Sequence, residues 1–165
     1  MSLYFCHGLE SGPHGRKYHA LVNAGLDVHS PDFQGMVLAE RVEKLVGLLK
    51  SHKERLYLVG SSYGGITAVL ASMQLAEMGV PIGGLLLLAP ALTRAEPPAT
   101  ETELQAVAPT TLIHGRHDDI VPLQVSRDYA EAQGATLIEV EDDHRLAQSL
   151  ERIVAETRRL LQTST

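Results

Sequence analysis

One cysteine, Cys6, stands in a chain of 165 residues, so no intrachain disulfide can staple it, and the composition suits a reducing, cytoplasmic setting. Tryptophan is absent, and only 5 Tyr and 2 Phe are present. With a formal net charge of −6, the chain has neither the basic surface nor the stacking side chains that nucleic-acid binding calls for. No apolar run approaches the ~20 residues of a membrane-spanning helix, the longest being 85–89 inside 82–92. The N-terminus enters an apolar segment directly and has no basic, apolar and small-residue succession of a secretory signal. What remains is a length that fits one domain, 1–165, able to bury roughly two thirds of its unfolded surface.

Short β-rich apolar runs alternate with helical patterns along the whole chain, the signature of β-α-β units around a parallel sheet covered on both faces. The pattern predicts strands at 3–6, 26–30, 56–60, 84–89, 111–114 and 136–140. It predicts helices at 15–24, 38–50, 63–78, 123–133 and 145–162, with Gly25, Gly79 and Gly134 placed to stop three of them. The polar, proline-bearing segment 93–108 reads as a loop or a short lid.

Gly60-Ser61-Ser62-Tyr63-Gly64 lies between an apolar strand and an apolar helix. A serine hydroxyl becomes a useful nucleophile only when a base can reach it, and a sharp strand-to-helix turn exposes it for that purpose. The strained turn needs small neighbours two residues away on each side, and only Ser62 has Gly60 and Gly64 there. An acid and a base are expected further along, on loops at strand carboxyl ends. His114-Gly115-Arg116-His117-Asp118-Asp119-Ile120-Val121-Pro122 supplies the acid; its spacing assigns that role to Asp118 and leaves Asp119 to cap the helix near Pro122. Glu141-Asp142-Asp143-His144 supplies the base, His144. Backbone N–H groups are expected to hold an oxyanion: that of Tyr63, at a helix N-terminus, and that of Leu9, beyond the turn His7-Gly8.

Other readings compete at particular residues. His114 and His117 with the neighbouring aspartates resemble a metal cluster, but a strand histidine and a turn histidine do not share a face, so no metal is expected. Cys6, inside an apolar strand, reads as core. The acidic run 139–143, outside its last residues, reads as solvated.

The elbow, the Ser, Asp, His order and the His-Gly turn together resemble the α/β-hydrolase superfamily over nearly the whole chain. The resemblance implies a reduced α/β-hydrolase fold that starts at the strand carrying His7-Gly8, with six parallel strands in order 2-1-3-4-5-6 and a minimal lid. The stretch from His7 to Lys17, HGLESGPHGRK, is similar to that of small bacterial YqiA-like esterases, and its ending resembles the related palmitoyl-thioesterase and acyl-glucuronide esterase group. Ser11 and Lys17 match that pattern by position; by chemistry alone they read as a capping serine and a solvated lysine. Where the family often has glycine near its histidine, this chain has Asp142-Asp143. The expected activity is cofactor-free hydrolysis of short to medium acyl esters through an acyl-enzyme, on a small-molecule substrate. A thioesterase acting on acyl-CoA or acyl-protein and a non-catalytic binding module are the alternatives.

Overall fold

The computed structural model of the chain describes residues 1–93 and 103–163. Elements follow in the order β1 (Ser2–Cys6), α1 (Arg16–Asn23), β2 (Val28–His29), α2 (Leu38–Leu49), β3 (Leu56–Ser61), α3 (Tyr63–Glu77), β4 (Ile82–Leu88), β5 (Thr110–Gly115), α4 (Leu123–Gln133), β6 (Thr136–Val140) and α5 (Leu150–Gln162). The six strands form one parallel sheet in the order β2-β1-β3-β4-β5-β6, the reduced α/β-hydrolase arrangement.

Alternate strand residues feed two separate cores, which is why the strands read as continuous apolar runs. Leu58, Leu85, Leu87 and Leu112 face α2, α3 and α4. Tyr57, Val59, Leu86, Leu88 and Ile113 face the other way, with Leu21 of α1 and Ile153 and Leu160 of α5. Helix α3 is buried almost all round, from Tyr63 to Ser72 without a break, and so lacks an amphipathic stripe. No helix of the described residues is long and apolar enough to cross a membrane.

Gly25, Gly79 and Gly134 end α1, α3 and α4 with positive φ, as expected. Three elements differ from the sequence pattern by two residues or more at one end. Strand β2 is only two residues because Leu26 donates to Leu21 O, closing α1 instead of joining the ladder. Strand β4 begins two residues early and stops before Ala89, whose N–H still donates to Ile113 O but whose φ of 43° turns the chain out of the strand. Helix α5 starts at Leu150, not 145, because Asp142 and Asp143 take the local N–H groups into turns and Leu146 adopts φ 53°. Most of segment 93–108 lies outside the described residues. Its last part packs down, with Ala106 N donating to Gln133 Oε1 at 3.0 Å and Leu104 against the core.

Strand order reverses between β1 and β3, since β1 connects outward to β2 and β3 returns on its other side. At such a switch point the carboxyl ends of adjacent strands open a crevice. The loops after β1 and β3 carry Gly8-Leu9 and Ser62.

Candidate active site

Ser62 stands between β3 and α3 with φ 55° and ψ −114°. For a non-glycine residue this costs on the order of 1–3 kcal/mol, offset by the bonds that hold the turn. Ser62 N donates to Leu88 O, and Ser62 O accepts from Gly65 N and Ala91 N, all at 2.9 Å. The flanking glycines are dictated by proximity. A Cβ on Gly60 would lie 2.5 Å from Gly64 O, and one on Gly64 would overlap the Cys6 carbonyl oxygen and meet His7 O at 2.6 Å.

His144 Nε2 lies 3.0 Å from Ser62 Oγ, and His144 Nδ1 lies 2.8 Å from Asp118 Oδ2. A serine, an imidazole and a carboxylate therefore form one hydrogen-bonded chain from loops after three different strands. With Nδ1–H donating to Asp118, Nε2 is left as the acceptor for the serine proton. Asp118 is fully buried at its side chain, and its Oδ1 accepts from Ile120 N at 2.9 Å and Val121 N at 2.8 Å. Asp119 is exposed, and α4 has no side-chain cap. The expected capping by Asp119 does not occur, because Asp118 already takes the N–H groups that lead into the helix.

The loops of Asp118 and His144 meet because Gly115 has no side chain. A Cβ there would overlap Asp142 O and sit 2.8 Å from Asp143 O. Asp142 is itself buried and accepts from Gln148 N, Ser149 Oγ and Asp143 N, which fixes the loop holding His144. Tyr63 opens α3, so its N–H points along the positive end of a 15-residue helix. Gly8 lies against the serine: a Cβ built on it would be 3.7 Å from Ser62 Cβ. Leu9 follows in the turn and is 47% exposed.

This geometry coincides with a match of the serine hydrolase family model to residues 14–149. The chain belongs to the serine hydrolase family. Its fold is similar to that of a hydrolase of the alpha/beta superfamily from Xanthomonas campestris pv. campestris, at 27% identity over 98% of each chain with a TM-score of 0.82. It is also similar to that of Est1E from Butyrivibrio proteoclasticus, at 16% identity over 98% of this chain and 86% of that one, TM-score 0.81. The type II thioesterase BorB from the borrelidin biosynthetic cluster shares 16% identity over 98% of this chain and 91% of its own, TM-score 0.77. No curated protein sequence matches significantly.

One residue of this serine hydrolase acquires a place in the site that sequence reading did not assign. His114, fully buried at the end of β5, has its Nε2 3.2 Å from Asp118 Oδ2 and 2.9 Å from Val121 O, and its Nδ1 2.7 Å from Ser126 Oγ. With Nε2–H donating to Val121 O and Ser126 donating to Nδ1, the ring is fixed against the back of the carboxylate. The available signal was a histidine in a buried strand four residues before the acid. His117 turns the other way, to Glu141 at 2.8 Å on the surface, so the two imidazoles serve separate partners. Glu139 and Glu141 are engaged by Arg127 and Arg116, so this part of the acidic run is ion-paired.

Cys6 is fully buried in the hydrolase core, and burial pushes its thiol up to about 12. Lys17 is half-buried, not solvated: burial lowers its pKa, while the Asp142 and Asp143 carboxylates oppose that shift.

Proposed function

We propose that this serine hydrolase cleaves carboxylic esters of short to medium acyl chains through an acyl-enzyme. His144 accepts the Ser62 proton, Ser62 Oγ attacks the acyl carbon, and Asp118 keeps Nε2 as the free nitrogen. The Tyr63 and Leu9 N–H groups stabilise the oxyanion; His144 then protonates the departing alcohol, and water activated by the same imidazole releases the acid. One cofactor-free domain suffices for these steps, and the single buried Cys6 suits work in the cytoplasm.

The observation that carries this reading is the contact of Ser62 Oγ with His144 Nε2 at 3.0 Å on a backbone turn with φ 55°. Such strain places a hydroxyl where a substrate can reach it. The experiment is fluorophosphonate labelling with mapping of the adduct, together with kcat/KM on p-nitrophenyl acetate. The adduct is expected on Ser62, and Ser62→Ala is expected to lose roughly 10⁴-fold or more in kcat/KM while Ser61→Ala loses little. An adduct elsewhere, or an active Ser62→Ala protein, overturns the assignment.

A further inference from the structure

Arg41, in the first turns of α2, is wholly buried. No carboxylate pairs with it among the described residues, although a buried charge without compensation is costly. Its donors go to backbone carbonyls: Nη1 to His7 O at 2.8 Å, Nη2 to Gly8 O at 3.1 Å and Nε to Met36 O at 3.4 Å. Its guanidinium carbon lies 4.8 Å from the Tyr63 ring centroid and 5.6 Å from that of Phe33.

The Gly8 carbonyl is the point of convergence. It accepts from Arg41 Nη2, from His7 Nδ1 at 2.8 Å and from Ser11 Oγ at 3.5 Å. His7 can donate there because Phe33 N donates to its Nε2 at 2.8 Å, which puts the ring proton on Nδ1; burial lowers its pKa and keeps it neutral. In a trans peptide the C=O and the following N–H point in opposite directions. Holding Gly8 O therefore aims the N–H of Leu9, and at a glycine the peptide plane would otherwise turn freely. Polarising that carbonyl also strengthens the N–H at its other end as a donor.

We propose that Arg41, assisted by His7, is a positioning residue that locks the Gly8-Leu9 peptide with its N–H toward the oxyanion. Its contact with the Tyr63 ring ties the residues of both oxyanion donors to one buried cation. The proposal rests on the reading of Leu9 N–H as an oxyanion donor. It explains a place for Ser11 in the turn and a reason to keep a charge in the core.

The test uses the full chain with Arg41→Gln and Arg41→Lys, a p-nitrophenyl ester and the matching thionoester, whose sulfur accepts hydrogen bonds poorly. Arg41→Gln is expected to lower kcat on the oxygen ester about 10- to 100-fold, to change KM little and to affect the thionoester much less. The acidic limb of the pH profile should stay where it is, because Ser62, His144 and Asp118 are untouched. Arg41→Lys keeps the charge but cannot reach both carbonyls at once, so it is expected to show the same selective loss at a smaller size, about 3- to 10-fold. Urea unfolding gives the folded fraction to which rates are referred. Unchanged kcat in folded Arg41→Lys, or an equal loss on both esters in either variant, overturns the clamp. If Ser62→Ala is inactive while the Arg41 variants are not, the clamp alone falls; if Ser62→Ala is active, the functional reading falls.

Discussion

At the scale of single residues, the loop 116–122 sets two adjacent carboxylates in opposite environments. Asp118 is buried and receives Ile120 N, Val121 N and His144 Nδ1, with His114 Nε2 3.2 Å from its Oδ2, while Asp119 faces solvent. In Asp118→Asn the amide oxygen can keep the backbone bonds, but its NH₂ would then donate to His144 Nδ1 and force the proton onto Nε2. That tautomer cannot accept from Ser62. A fall in kcat of about 10³–10⁴-fold is expected, against no more than about twofold for Asp119→Asn. Steady-state kinetics of the two variants decides it, and the reverse ranking would move the acid by one residue.

At the scale of elements, the site depends on how closely the connections after four strands, β1, β3, β5 and β6, approach in pairs. Gly115 admits the backbone of 142–143, and Gly64 admits that of Cys6 and His7. Gly115→Ala is expected to cost about 1–3 kcal/mol, because Asp142 carbonyl oxygen must move, and to lower kcat as the His144 loop moves away from Asp118. Gly15→Ala is the control: it has φ −82° at the N-cap of α1, and a Cβ there meets nothing within 4 Å. Urea midpoints and kcat measured for both variants test the point, and a silent Gly115→Ala would mean that the two loops are not held by contact.

At the scale of the whole molecule, substrate size follows from what can cover the crevice at the sheet's carboxyl edge. The sizeable insertion, 93–108, holds 16 residues, too few for a multi-helix cap. An open crevice leaves the far end of a long acyl chain in water, and each methylene so exposed forfeits about 0.8 kcal/mol of transfer free energy. Across p-nitrophenyl esters from acetate to palmitate, kept below their micellar range, kcat/KM is expected to stop rising early in the series. A steep rise continuing to palmitate would instead favour a long-chain thioesterase.

Local chemistry was legible in the sequence. Two-sided apolar runs announced buried parallel strands, glycines at Gly25, Gly79 and Gly134 marked helix ends, and Gly60 and Gly64 singled out Ser62, because each of these signals depends on neighbours within a few residues. The start of α5 was not legible, since Asp142 diverts the N–H groups that a helix from 145 would have used. Nor were the places of His114 and Arg41. The strand histidine has Asp118 four residues on as its one nearby sign, and an arginine in an amphipathic helix carries no mark of its partners in the chain around it. His114 touches Asp118, Val121 and Ser126 because the loop from β5 into α4 folds back over it, and Arg41 meets carbonyls 33 and 34 residues away because α2 packs against the turn after β1, so only the folded chain decides what those side chains touch.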